Sequence, residues 1–254
     1  MMHGHHINSP FWNLHDRKIK GIEAELKCLI TKEELQMMSV DEINERINNE
    51  FIYDEYAWQK KNQIPVVYDR RAEGLHKVLY KCPHCGAEFK MSSVGHTLKC
   101  DACGKSWDYS IYGELTANDG ETEFSHIPDW YEWERDEVRK EVEAGKYYFT
   151  SPVHTFILPK DKFIPIGKGT LVHDINGFRL TGVYEGKPYE VEIPSTSTYG
   201  VHIEYEYLGK YGDCVDLNTL DNTYYVYPEC ARFAVTKISL ATEEIYKLKF
   251  KDKK

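Results

Sequence analysis

Two pairs of cysteines constrain the fold more than any other feature of this sequence. Cys82 and Cys85 form the first pair, Cys100 and Cys103 the second, and a glycine follows each pair directly. Such a pair chelates a metal ion at Zn–S distances of ~2.3 Å, and the 14 residues between the pairs leave room for one β-hairpin. The glycines permit a positive φ that turns backbone amides toward the thiolates. The spacing predicts a zinc ribbon in which these four cysteines hold one structural zinc ion.

Other uses of the cysteines fit less well. A rubredoxin-like iron site stays open as the alternative, because iron accepts the same four thiolates. Disulfides are disfavoured, since the cysteines number an odd seven, the N-terminal residues are too polar for a secretory signal and we expect a cytoplasmic location. A thioredoxin-type motif needs a single pair between a strand and a helix. His84 and His96 are predicted to be surface residues, because four thiolates complete the metal shell.

Short strands are predicted around the cysteines. Three segments there alternate polar with apolar residues: Glu88–Met91, His96–Lys99 and Ser106–Tyr109. A turn is expected at Ser93–Gly95. Phe89, Leu98 and Trp107 would then cover the metal site on one face.

Composition restricts the classes of partner. The chain has 254 residues, of which 41% are hydrophobic, and a net charge of −9. No stretch approaches ~18 consecutive apolar residues, so membrane contact is expected to be peripheral, at the inner face, or through a partner. The region 66–110 is weakly basic, with seven bases against five acids, whereas 114–145 holds eleven acids and three bases. Nucleic acid is therefore disfavoured as a partner, because phosphates require clustered Lys and Arg.

Helix signals lie on both sides of the ribbon. Thr31 and Ser39 each begin a capping box, and the second helix is predicted to continue to about Gln63, before Pro65. After an extended connector, a helix is predicted at Asp129–Ala144, with Asp129 as its N-cap and Gly145 closing it. Its two tryptophans, Trp130 and Trp133, are predicted to lie in the core.

The C-terminal part has the pattern of an antiparallel β-domain. Strands are predicted at Tyr147–Phe149, Val153–Leu158, Gly169–His173, Gly177–Tyr184, Lys187–Glu192, Gly200–Tyr207, Asp213–Leu217 and Thr223–Tyr227. A final helix is expected from near Leu240. The strands followed by one helix predict a PH/GRAM-like domain within an overall α+β fold. Asp213–Asp216 could hold a cation or a reactive thiol, but a strand with one buried cysteine explains it better.

Four regions follow from these patterns: 1–65, the helical N-terminal part; 66–118, the zinc ribbon; 119–146, the connector and tryptophan helix; and 147–254, the β-domain. Only the connector and one helix join the ribbon to the β-domain in sequence. We therefore expect loss of zinc to unfold the ribbon and to leave the β-domain folded.

One apparent catalytic motif is accidental. His96 and Asp101 match the His-x-x-x-x-Asp motif of glycerolipid acyltransferases, in which the histidine is a general base. Here the two residues fall on a ribbon strand and beside a metal thiolate, where they cannot converge over a substrate. No phosphate-binding block accompanies them.

Several blocks resemble the C-terminal extension of a group of bacterial 1-acyl-sn-glycerol-3-phosphate acyltransferases. Besides the cysteine pairs, they are Gly4–Asn13, Tyr53–Gln59, Arg71–Tyr80, Gly120–Glu134, His202–Tyr205 and Thr236–Glu244. The similarity covers nearly the whole chain. It implies that residues 1–65 begin with a remnant of the end of the acyltransferase domain.

The resemblance also implies a role. The family's catalytic His-Asp pair and phosphate-binding arginine have no matching positions, so the chain is expected to be inactive alone. It would be the accessory or regulatory region of a lysophosphatidate acyltransferase in phospholipid synthesis, with the catalytic domain as its partner in cis or in trans. The alternative is a free-standing zinc-ribbon protein that binds protein or nucleic acid. A basic patch of Arg70, Arg71, Lys77 and Lys81 would favour that alternative, whereas a bare apolar face on residues 22–58 would favour the accessory role.

Overall fold

The computed structural model describes residues 2–4, 7, 10–13, 23–159, 162–231 and 233–251. Within them the chain forms six helices and thirteen strands, and all strand pairings are antiparallel. The predicted α+β class is confirmed. Of the block Gly4–Asn13, which resembles the end of the acyltransferase domain, residues 5, 6, 8 and 9 lie outside the described part of the chain.

The described part of the N-terminal region contains a two-residue strand pair and three short helices. Strand β1 (Met2–His3) pairs with β2 (Glu23–Ala24). Helices α1 (Lys32–Met37) and α2 (Val40–Glu50) each begin with a complete capping box. In the first, the Glu34 amide donates to the Thr31 hydroxyl at 3.2 Å, and the Thr31 amide donates to the Glu34 carboxylate at 2.8 Å. The capping-box predictions are confirmed, because such caps depend only on residues three positions apart.

The prediction of one long second helix is wrong. Helix α2 ends at Glu50, and a separate helix α3 (Glu55–Lys61) follows. Its N-cap is Asp54, whose carboxylate accepts the Ala57 amide at 2.9 Å. An aspartate that can cap a new helix competes with continuation of the previous one, which explains the break.

The ribbon contains one short helix and a four-stranded sheet. These elements are α4 (Leu75–Val78), β3 (Met91–Val94), β4 (Thr97–Cys100), β5 (Ser106–Tyr109) and β6 (Leu115–Ala117). Strand β5 matches its prediction, and the sheet order is β3-β4-β5-β6. The first strand begins three residues later than predicted, because Phe89 has a positive φ of 57° and delays the extended backbone. The turn consequently lies at Gly95 and His96.

Helix α5 (Ile127–Glu143) follows the ribbon. It begins two residues before the prediction, so Asp129 lies in its first turn and is not the N-cap; Pro128 in that turn is compatible with a helix start. Gly145 has a φ of 65°, as a left-handed closing residue requires. Trp130 is fully buried and Trp133 packs against the same core, which confirms the prediction for both tryptophans.

The C-terminal region is a seven-stranded sheet followed by one helix. The strands are β7 (Phe149–Ile157), β8 (Ile164–Asp174), β9 (Gly177–Tyr184), β10 (Lys187–Pro194), β11 (His202–Glu204), β12 (Cys214–Asn218) and β13 (Thr223–Pro228). Their order is β10-β9-β8-β7-β13-β12-β11, so β10 and β11 are the two edges. The predicted strands at 147–149 and 153–158 are one strand, since Ser151 and Pro152 continue the pairing with β8.

Helix α6 (Ala234–Phe250) begins six residues before its predicted start. It packs against α5 and β11. One hydrophobic core runs from the ribbon into the β-domain and contains Leu98, Trp107, Trp130, Leu171 and Ile238. The rings of Trp107 and Trp130 meet edge to face, with centroids 5.0 Å apart. The ribbon, α5 and the β-domain therefore share buried surface.

Candidate metal centre

The four cysteines of the two pairs converge at one end of the ribbon. The first pair lies in the loop after α4, while Cys100 ends β4 and Cys103 lies in the turn that follows. The sulfur of Cys82 is 3.8 Å from that of Cys103, and the sulfur of Cys85 is 3.8 Å from that of Cys100. All four sulfurs lie within 4.8 Å of one another. The fold therefore brings together the set of residues that the spacing predicts.

The sulfur positions suit a tetrahedral ion. A tetrahedron with metal–sulfur bonds of ~2.3 Å has edges of ~3.8 Å, the separation found for both of these sulfur pairs. A disulfide would bring two sulfurs to ~2.05 Å, and none of the seven cysteines forms one. The arrangement is that of a closed four-thiolate site, which has no open position for a substrate.

Backbone geometry explains how each pair is held. In the first pair the Gly86 amide donates to the Cys82 carbonyl at 2.9 Å, and in the second the Gly104 amide donates to the Cys100 carbonyl at 2.8 Å. The two glycines have φ values of 73° and 82°. A Cβ on either glycine would meet no atom within 4 Å, so the positive φ, and not lack of space, requires glycine here.

Electrostatics around the sulfurs favour a bound cation. Burial raises the pKa of the Cys82 and Cys100 thiols. Backbone amides oppose this: those of Cys85 and His84 donate to the Cys82 sulfur, and those of Cys103 and Ala102 donate to the Cys100 sulfur. Amides that point at sulfur stabilise thiolates, but the buried pair needs a positive ion to stay ionised.

The inner face of the site is covered by the core. Cys82 and Cys100 are buried, whereas Cys85 and Cys103 are exposed. Leu98 and Trp107 are direct cross-strand neighbours and belong to the same core as the two buried cysteines. Phe89 packs against that core and stacks on Tyr80 at 5.3 Å, so it contributes to the cover that the sequence predicts.

One carboxylate that sequence reasoning missed connects the two cysteine loops. Glu123 lies 3.3 Å from His84 Nδ1 of the first loop and 3.0 Å from the buried Lys105 Nζ beside the second. It also accepts the Trp107 indole N–H at 3.2 Å. Burial is the largest single effect and opposes ionisation. The hydrogen bond and charge of Lys105, a backbone amide and the Trp107 hydrogen bond together outweigh it, so the pKa of Glu123 is lowered. Only the folded chain shows this contact, since Glu123 lies in the connector.

Neither nearby histidine joins the thiolates. His84 faces Glu123, while His96 is half exposed and lies 3.9 Å from Asp108. Asp101 accepts the Ser92 hydroxyl at 3.0 Å. His96 and Asp101 therefore engage different partners, as expected for an accidental match to the acyltransferase motif.

Comparison with known proteins finds no relative of this chain. No family model, no curated protein and no solved structure matches this chain. Among the described residues, no helix combines the length and the apolar character that crossing a bilayer needs.

Proposed function

We propose that this chain is a zinc-stabilised, non-catalytic accessory region that docks onto the catalytic domain of a lysophosphatidate acyltransferase through its N-terminal helices. The main observation in support of docking is the exposed apolar surface of α1 and α2. Neither helix buries a single residue, and Val40 and Phe51 are 72% and 81% exposed. Large apolar side chains exposed on neighbouring elements favour an interaction surface.

The apolar surface extends beyond one helix. Its exposed members are Leu26, Leu35, Met37, Val40, Ile47, Phe51 and Ile52. Arg46 of α2 pairs with Glu34 of α1 at 2.9 Å, which is a direct contact between the two helices. These exposed side chains support the accessory role, which a bare apolar face on residues 22–58 would favour.

The metal is proposed to be one structural zinc ion. The chemistry of four thiolates at tetrahedral spacing supports zinc, and iron accepts the same ligands. Metal analysis of protein purified from a culture that contains both metals separates them. Zinc in a 1:1 ratio to the chain is expected. The red colour of a ferric thiolate would show instead that the site holds iron.

The alternative, a free-standing ribbon that binds nucleic acid, has less support. The four residues that would form its basic patch are all paired with acceptors within the chain. Lys77 and Lys81 are buried in ion pairs, Arg70 pairs with Glu73 at 2.8 Å, and the Arg71 guanidinium donates to the Tyr109 carbonyl. Cations that are paired with protein acceptors release few counterions from a phosphate backbone.

The identity of the partner rests on the sequence blocks that resemble the acyltransferase extension. A binding experiment tests it: titration of the zinc-loaded chain with the separately expressed catalytic domain of a family member that carries such an extension. Association is expected for the natural sequence and is expected to be lost with Val40→Asp. Val94→Asp changes an equally exposed valine of the ribbon and should bind normally. Equal binding by both variants would refute docking through the helices.

Activity provides a second test. The isolated chain should transfer no acyl group from a thioester to lysophosphatidate, because a general base and a phosphate-binding site typically contribute several orders of magnitude. Turnover by the isolated chain that His96→Ala abolishes, with zinc retained, would contradict the accessory role.

A further inference from the structure

A second cluster of metal-binding side chains lies in the β-domain. His202 and Glu204 are two residues apart on β11 and therefore project from the same face of the sheet. Asp216 of β12 is the direct cross-strand partner of His202. The His202 Nε2 atom lies 3.5 Å from Glu204 Oε1 and 4.0 Å from Asp216 Oδ2, and all three ligand atoms lie within 4.8 Å of one another.

The Asp216 carboxylate is the most buried of the three side chains. Its side chain is only 7% exposed. The Cys214 thiol donates to Oδ1 at 3.5 Å, which fixes the carboxylate so that Oδ2 faces His202. At 4.0 Å that contact is too long for a hydrogen bond, and no other described residue hydrogen-bonds to Oδ2. Oδ2 therefore lacks a hydrogen-bond partner among the described residues and can accept a ligand.

A divalent cation would supply that partner. The cluster offers two carboxylates and one imidazole, so a 2+ charge balances it when the histidine is neutral. Imidazole nitrogen and carboxylate oxygen suit first-row divalent ions such as Mn²⁺ and Zn²⁺. Bonds of ~2.0–2.2 Å need the ligand atoms slightly closer than they lie here, and the exposed His202 and half-buried Glu204 can shift to provide this.

The cluster also borders a cavity. His202 and Asp216 line a space of about 500 Å³ between β10 and β12, together with Phe178, Glu192 and Ile193. Three protein ligands leave coordination positions vacant, unlike the closed thiolate site. We propose that His202, Glu204 and Asp216 form a second metal site, which binds a first-row divalent cation whose remaining positions face this cavity.

A weak ion pair on the protein surface is the competing explanation, and the chain offers a matched control for it. His154 of β7 lies 2.8 Å from Glu229, the residue that follows β13, and the described residues provide no third ligand there. If a histidine beside a carboxylate were sufficient for metal binding, the two pairs would behave alike.

The test uses the full chain with one molar equivalent of zinc bound, so that the thiolates are occupied. Added Mn²⁺ is followed by the loss of the free-ion electron paramagnetic resonance signal. One Mn²⁺ per chain is expected, with affinity reduced roughly 10- to 100-fold or more by His202→Gln and by Glu204→Gln. His154→Gln should bind like the natural sequence. These positions avoid the buried Asp216, so the variants are expected to fold. Absence of Mn²⁺ binding, or binding unaffected by His202→Gln, would overturn the proposal.

Discussion

The ammonium group of Lys77 lies 3.5 Å from the carboxylate of Asp213, in a contact that joins the ribbon to the β-domain. Both side chains are buried, at 4% and 1% exposure, and Glu206 provides a second carboxylate 2.8 Å from the same ammonium. Lys77 belongs to the helix that precedes the metal site, and Asp213 precedes strand β12. An ion pair buried at this place makes the position of the ribbon depend on the β-domain.

Removing one partner of this pair should be costly. Lys77→Met leaves the Asp213 charge buried without its cation, and such a change typically costs ~3–5 kcal/mol of unfolding free energy. Denaturant unfolding of the zinc-loaded protein measures the cost. The double variant Lys77→Met, Asp213→Asn should recover part of it, because it buries no charge. A loss that is simply additive would show that the two groups do not interact.

The same aspartate predicts a pH dependence. Burial raises the pKa of Asp213 to about 6, although Lys77 opposes the shift. An unfolded aspartate titrates near ~3.9, so between about pH 4 and pH 6 the folded protein holds a proton that the unfolded chain has lost. The contribution of Asp213 to stability is therefore complete below pH 4 and declines as pH rises to about 6.

Asp213→Asn should remove this decline. The measurement is the difference in unfolding free energy between the natural sequence and the variant at several pH values, which cancels the contribution of zinc release common to both. This difference in unfolding free energy should change by up to about 3 kcal/mol between about pH 4 and pH 6. A difference that is constant with pH would contradict the raised pKa.

A buried threonine makes another connection between the regions. The Thr236 hydroxyl of α6 donates to the Lys77 carbonyl at 2.6 Å, and the Tyr205 hydroxyl is 2.7 Å from the same oxygen. That oxygen is the Thr236 hydroxyl, whose proton goes to the Lys77 carbonyl, so the Tyr205 hydroxyl donates to Thr236. Thr236→Val should cost ~1–3 kcal/mol, since two buried polar groups lose their partner. Thr242→Val is the control. Among the described residues its hydroxyl bonds only to the Ile238 carbonyl of the same helix, so a smaller loss is expected.

Local sequence signals predicted the features that depend on neighbouring residues. The capping boxes at Thr31 and Ser39, the strand Ser106–Tyr109 and the glycine-closed cysteine loops all follow from residues a few positions apart. The convergence of the two loops was predictable as well, because four thiolates at this spacing have few other uses.

Features that depend on distant residues were not predictable. Lys77, Lys81 and Lys105 have the composition of a basic surface, yet each is buried against acids from later segments. Glu134 occupies a helix that looks charged in sequence, but it is fully buried and accepts the Lys81 amide at 2.8 Å, and burial raises its pKa well above the ordinary value. The cluster of His202 with Asp216 depends on the register of β11 against β12, which no single sequence reveals.

Loss of zinc should have effects beyond the ribbon. Cys100→Ser removes a buried ligand and should abolish stoichiometric zinc, whereas Cys214→Ser changes an equally buried cysteine outside the cluster and should retain it. Zinc binding in comparable peptides is worth ~10–16 kcal/mol of apparent free energy, so residues 80–110 should lose their hydrogen-exchange protection.

The shared core changes the expectation for the rest of the chain. Trp130 of α5 packs on Trp107, and its indole N–H donates to the Lys81 carbonyl at 3.0 Å, one residue before the first ligand. Protection of α5 should therefore fall together with that of the ribbon in Cys100→Ser, while the hairpin of β9 and β10, at the far edge of the large sheet, should change least. Hydrogen exchange resolved by segment measures both. Full protection of α5 in a variant that binds no zinc would show that the ribbon unfolds independently, as the sequence alone predicts.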